Sequence, residues 1–250
     1  MANKCAICGA EVNVFQAQKL MDGNYICRKN CRAKGMKVFD YVHGSLPQVV
    51  AHNTQVEQGT KLWNLYFVPR MKEKDKEKKL KRFGANVYVA ADIGLMAYIQ
   101  NDYKFIMFGK TTRACVYRIA DLCSYEYEVQ EKKTDKGNEK ESFVRMSFGN
   151  TEGMYEFAER ISSYRSYEEL VKYFDKLFGI QKTLGNIKNT WKNQTNAVKN
   201  VASGFKEVLS NGENAEEKAA AAAAAVDKAQ YGDRTELIRK ADEALSALNK

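Results

Sequence analysis

The chain has 250 residues, 44% hydrophobic and 28% charged, with 40 basic against 31 acidic residues and a formal charge of +9. That length carries one large domain or two small ones, and that composition can bury a core. No run of about 18 apolar residues occurs, which excludes a transmembrane helix, and the opening MANKCAICGAEV lacks the apolar stretch of a signal peptide.

Residues 1–45 hold four of the six cysteines. They run Cys5-Ala-Ile-Cys8-Gly9, then Asp22-Gly23, then Cys27-Arg-Lys-Asn-Cys31. The spacing falls within the range of structural zinc sites. Two thiolates two residues apart grip one ion when the turn folds back, and Gly9 permits that backbone. Asp22-Gly23 is a favoured two-residue hairpin turn. Cys27 and Cys31 share a face if a helix starts there. Four thiolates and Zn²⁺ leave a charge of −2, which Lys4, Arg28, Lys29, Arg32 and Lys34 offset. An all-cysteine site leaves no open coordination position, so a catalytic zinc is not expected. Disulfides and a redox or iron–sulfur role are the alternatives to structural zinc. A reducing cytoplasm argues against the first. His43 and His52 read as ordinary surface or core residues, and Cys115 and Cys123 as buried small apolar residues.

Residues 46–82 read as a helical basic linker. It ends in the run Arg70–Arg82, with eight basic and three acidic residues. A solvated face or an anionic-surface patch both fit such a run. Residues 83–165 carry strand signals. These are Asn86–Ala90, Leu95–Ile99, Tyr103–Phe108 after a turn at Asn101-Asp102, Ala114–Ile119, Ser124–Val129 and Ser142–Phe148. The polar stretch Gln130–Glu141 reads as a hairpin loop. Six or seven short strands with close turns predict an antiparallel sheet, curved or closed. Glu126 and Glu128 alternate on one face and read as a solvated sheet edge. Thr151 is placed as the cap of a helix through Met154, Phe157, Ala158 and Ile161.

Residues 166–250 read as a helical tail. Ser166 and Glu169 form a capping box, and Gly179 is a natural end. Leu184, Ile187, Trp191, Gln194, Val198, Val201, Phe205 and Val208 recur as a heptad seam flanked by Lys188, Lys192, Lys199 and Lys206. Such a seam packs on another helix, in the chain or in a second copy, or lies on an anionic membrane with Trp191 and Phe205 inserted. The alanine-rich segment Asn214–Gln230 follows, then a helical pattern over Arg234–Asn249 through Leu237, Ile238, Ala241, Leu245 and Leu248.

The run CAICG…KLMDGNYIC…C resembles the small four-cysteine ribbon at the start of a family of bacterial domains of unknown function. Chains of that kind commonly follow the ribbon with a pleckstrin-homology-like barrel. The stretch Val116–Val129 is similar to that barrel's strand, Asp-Leu and aromatic-Glu segment. The resemblance implies zinc and a binding module, and it implies no catalytic residues.

The expected fold is α+β: a zinc ribbon, a pleckstrin-homology-like antiparallel barrel or sheet, and a helical C-terminal region. There is no P-loop, G-x-G-x-x-G, H-E-x-x-H or G-x-S-x-G, so no enzyme is expected. The expected function is a zinc-stabilised adaptor that is cytoplasmic or peripheral to a membrane. Cys5, Cys8, Cys27 and Cys31 are the metal ligands. Lys188, Trp191, Lys192, Lys199, Phe205 and Lys206 contact a protein partner or an anionic membrane. Nucleic-acid binding, from the net positive charge beside a zinc ribbon, and self-assembly through residues 184–208 are the alternatives.

Overall fold

A computed structural model describes residues 3–75, 78–103, 109–134, 137–180 and 233–246. Two compact units divide the chain, Met1–Glu169 with Thr235–Lys250, and Leu170–Arg234.

In the first unit, the ribbon opens with β1 (Asn3–Lys4) paired to β2 (Glu11–Val12), and β3 (Ala17–Lys19) paired to β4 (Tyr25–Cys27). The expected two-residue turn at Asp22-Gly23 is wider. Lys19 faces Tyr25, Leu20 N–H bonds Asn24 O, and Gly23 sits at φ +83°, which glycine adopts without a Cβ penalty.

Helix α1 (Leu46–Leu62) starts where Ser45 N–H donates to Gln48 Oε1 at 2.9 Å, and Pro47 fits its first turn. It runs on through a π-helical turn, Trp63–Phe67, and stops at Arg70. The helical reading of 46–82 therefore ends early. In the sequence from 71 to 80 the charges alternate and only Met71 and Leu80 are apolar, which gives a helix no stripe to bury.

Seven antiparallel strands follow. β5 (Lys81–Phe83), β6 (Val87–Ala90), β7 (Leu95–Tyr103) and β8 (Lys110–Arg118) make one sheet in that order. β9 (Leu122–Thr134), β10 (Gly137–Phe148) and β11 (Glu156–Ile161) make the other, with β10 central. Three expectations fail here. Asn101-Asp102 is no turn, because β7 continues there opposite Thr112 and Thr111. The polar stretch 130–141 is largely ladder rather than loop, with Glu131 opposite Lys140. Val129–Lys132 and Glu139–Lys140 of this two-stranded arm are exposed, so it shows no apolar alternation. The helix placed after Thr151 is β11, in which Phe157, Glu159 and Ile161 are buried at every second position. Its apolar residues fit both periods, and pairing with β10 decides.

The sheets stack through aromatic rings. Tyr98 meets Phe157 with centroids 4.2 Å apart, and Tyr117 meets Phe148 at 4.1 Å. On the other face of β7, Leu95, Ala97 and Ile99 pack with Trp63, Phe67, Ala241 and Ala244. Strand β7 is therefore buried on both faces from Leu95 to Ile99. The barrel does not close. Among the described residues β8 pairs only with β7 and β9 only with β10.

Helix α1 occupies the free edge of β8. Ala114 N–H donates to Thr60 Oγ1 at 3.2 Å, and the Gln55 amide bonds both N–H and C=O of Met154, at 2.8 and 3.3 Å. A helix thus supplies polar partners that a closing strand would otherwise supply.

Helix α2 (Tyr164–Leu177) begins two residues before the expected Ser166. Ser163 receives the Ser166 N–H, and Arg165 takes Glu169. Tyr164 and Tyr167 pack on Tyr127 of β9. In the second unit, Leu170, Phe174 and Phe178 form a buried stripe at steps of four, and Gly179 at φ +69° ends the helix as expected. There Asp233 N–H bonds Phe178 O, and Arg234 lies 4.1 Å over the Phe178 ring.

Helix α3 (Thr235–Ser246) belongs to the first unit. Arg118 pairs with Asp242 at 2.9 Å, and Tyr66 OH donates to Ala244 O at 3.0 Å. The heptad seam 184–208, with Lys188, Trp191, Lys192, Lys199, Phe205 and Lys206, and the alanine-rich segment lie outside the described residues.

Candidate metal centre

Two knuckles bring four thiols together. In the first, Gly9 N–H returns to Cys5 O at 2.8 Å, and Gly9 takes φ +72° as its turn requires. Ala6 N–H bonds Tyr25 O at 2.8 Å and fixes this knuckle against β4. The second is a short π-helical turn, Arg28–Arg32, which sets Cys31 N–H 3.2 Å from the Cys27 sulfur.

The sulfur atoms of Cys5, Cys8, Cys27 and Cys31 lie within 4.8 Å of one another. Cys5 and Cys31 sulfurs are 3.7 Å apart, as are those of Cys8 and Cys27. A tetrahedron with metal–sulfur bonds of about 2.3 Å has edges of about 3.8 Å. The four cysteines could therefore hold a metal ion, and donor type and spacing fit zinc. They are the one such cluster of three or more ligating side chains among the described residues.

Burial pushes the Cys5 thiol up, but N–H groups of Cys8, Cys27 and Ile7 outweigh it and bring it down to about 6. Burial and the neighbouring thiols raise Cys31. Four thiols crowded together thus hold opposing shifts, and a cation bound among them would favour the thiolate form. Cys5, Cys27 and Cys31 are buried, and Cys8 faces solvent.

The remaining candidates lie apart from the cluster. Cys115 is buried in β8 beside the Met36 sulfur at 3.7 Å, and burial pushes its thiol up to about 12. Cys123, expected to be buried, is exposed, because the chain leaves the 3₁₀ turn at Asp121 there and its thiol bonds Asp121 O. His43 is exposed against Asp40 at 2.6 Å. His52 is fully buried. Glu126 and Glu128 do mark an open face, on which Arg145 holds Glu128 at 2.8 Å.

Sequence reasoning missed how the centre joins the rest of the unit. Asp22, the hairpin-turn residue, accepts the Leu46 N–H at 2.7 Å and so caps α1; that bond holds its carboxyl below the usual range. Asn53 of α1 donates to Cys31 O at 3.0 Å. Lys37 bonds Gln100 and Asp102 of β7. Asp22 is twenty-four residues from Leu46, and no periodicity links the two. A second feature lies beside α1, a groove lined by Val50, Gln58, Leu62, Val116, Arg118 and Asn150.

Residues 4–49 match the family model described as Domain of unknown function (DUF4428). The match spans the ribbon and the first four residues of α1. Comparison with curated proteins gave no match, and comparison with solved structures gave none. Among the described residues no helix is long and apolar enough to cross a membrane.

Proposed function

We propose that this chain is a non-enzymatic, zinc-stabilised adaptor that docks on a partner protein or an anionic membrane surface. The carrying observation is the convergence of four cysteine sulfurs within 4.8 Å. Four thiolates complete a tetrahedral shell and leave no position for substrate, which supports a structural ion. The ribbon's buried cluster runs from Cys5 and Ile26 to Val49 of α1, so the ion would brace the helix that lines the groove.

A pleckstrin-homology-like reading of residues 83–165 is supported by sheets of four and three antiparallel strands followed by α2. The groove beside α1 is the contact surface of this domain. Lys188, Trp191, Lys192, Lys199, Phe205 and Lys206 supply the second contact, as a basic amphipathic segment with aromatic anchors.

Metal analysis and vesicle flotation test this reading on the full chain. One zinc per chain is expected. Flotation is expected with phosphatidylserine vesicles at low salt, weakening at high salt. Trp191→Glu is expected to reduce it. No zinc in the purified chain would refute the metal reading. A full chain that neither floats nor captures a protein partner would refute the adaptor reading.

A further inference from the structure

The ribbon carries an apolar tip that stands exposed among the described residues. Val14 is 72% and Phe15 88% exposed, side by side in the turn between β2 and β3. The turn is fixed. Asn13 Oδ1 accepts the N–H groups of Phe15 and Gln16 at 3.1 and 3.0 Å, and Asn13 O accepts those of Gln16 and Ala17 at 3.0 Å. Two large apolar side chains are thus held outward by a closed set of bonds rather than by a loose loop.

A cation sits at the base of the tip. Arg28 donates its backbone N–H to Gln16 O at 2.8 Å and its Nε to Ala17 O at 2.9 Å, so the base of the tip is an arginine. Lys29 follows it, also exposed. Residues 4–49 hold seven basic and three acidic residues. Two of those carboxylates are engaged, Asp22 on Leu46 and Asp40 on His43. Among the described residues Arg28 and Lys29 form no ion pair, and both are exposed.

We infer that the Val14–Phe15 turn is a membrane-insertion tip, entering the headgroup region of an anionic bilayer while Arg28 and Lys29 meet lipid phosphates. Exposed apolar side chains above Arg28 and Lys29 match a surface that is negative outside and apolar beneath. A folded protein partner would offer carboxylates to the cations, but an apolar pocket for the tip would have to be built as well. Nucleic acid would use Phe15 for stacking and leave Val14 unused. The inference rests on the membrane arm of the reading above and assigns that arm a second contact, in the ribbon.

The test uses the full chain with vesicles of phosphatidylcholine alone and with phosphatidylserine added. Val14 and Phe15 are exposed, so V14S/F15S is expected to keep the fold, checked by metal content and circular dichroism. Its affinity for phosphatidylserine vesicles is expected to fall about tenfold or more. Lys29→Gln is expected to cost about fivefold, and only on charged vesicles. Unchanged binding by V14S/F15S overturns the inference, and if Trp191→Glu then abolishes binding, membrane docking through the tail survives without it. A parent chain that binds no vesicle overturns both. So does binding of a single-stranded oligonucleotide that V14S/F15S loses while vesicles remain unbound.

Discussion

Met36 donates its backbone N–H to Nε2 of His52 at 2.9 Å, in a place where the imidazole has no solvent contact. The ring stacks on Phe39 with centroids 4.4 Å apart. An accepting Nε2 puts the proton on Nδ1, which has no hydrogen-bond partner among the described residues. The ring joins the segment after the metal centre to α1, and it does so only while neutral.

Stability is therefore expected to fall on mild acidification. Burial lowers His52 from 6.5 to about 4. Between those values the unfolded chain binds a proton that the folded chain refuses, so stability drops as pH falls through the window, by about 3 kcal/mol. Glu159 acts with the opposite sign. Burial raises it, so its folded form gives up stability as pH rises above 4.5. His52→Gln keeps an acceptor for Met36 and removes the titration. Urea midpoints at pH 7 and pH 4.5 should differ less in this variant than in the parent. Equal slopes would remove His52 as the cause.

The four-cysteine cluster was legible in the sequence because its geometry is local. Knuckle spacing and Gly9 are backbone facts within a few residues. Strands β6 to β8 were legible because β7 is buried on both faces and β6 alternates. Strand β11 was not, because Met154, Phe157, Ala158 and Ile161 satisfy a helical period, and only the partner strand chooses. The closing edge was the least legible feature. Six or seven short strands with close turns predict a sheet, curved or closed, but α1 stands at the edge of β8. What places it there is Gly59 and Thr60, two residues with no signal of their own.

Gly59→Ala is expected to destabilise the first unit, although alanine is the better helix former by about 1 kcal/mol. A Cβ at Gly59 would stand 2.3 Å from Ala114 O and 3.0 Å from Val116 N. Both are backbone atoms of β8, and neither can swing aside. Overpacking of this kind costs about 3 kcal/mol when helix and strand must separate, so a net loss of about 2 kcal/mol is expected. A urea titration measures it, and a gain in stability would show that α1 does not contact the β8 edge.

Ala241→Glu should release α3. Ala241 is fully buried among Trp63, Leu95 and Ala97. A carboxylate there would enter an apolar cluster, and Arg118 is already held by Asp242. The cost is about 3 kcal/mol or detachment of the helix, whichever is smaller. Limited proteolysis should then cut within residues 235–246. Continued protection would place the contacts of α3 elsewhere.

Removing the metal is expected to loosen α1 as well as the ribbon. Any of Cys5→Ser, Cys8→Ser, Cys27→Ser and Cys31→Ser should lose bound zinc, whereas Cys123→Ser should keep it, since Cys123 lies outside the cluster. A segment of this size holds too small an apolar core to fold firmly without its ion. Its loss frees Asp22 from the Leu46 N–H and Cys31 O from Asn53, two bonds that tie α1 to the ribbon. Hydrogen exchange should therefore speed up at Val49–Asn53 after chelation and much less in β10. The two regions separate the outcomes. Faster exchange confined to residues 4–45 would mean that the ribbon folds alone and braces nothing, and slower exchange anywhere in α1 would contradict the coupling outright.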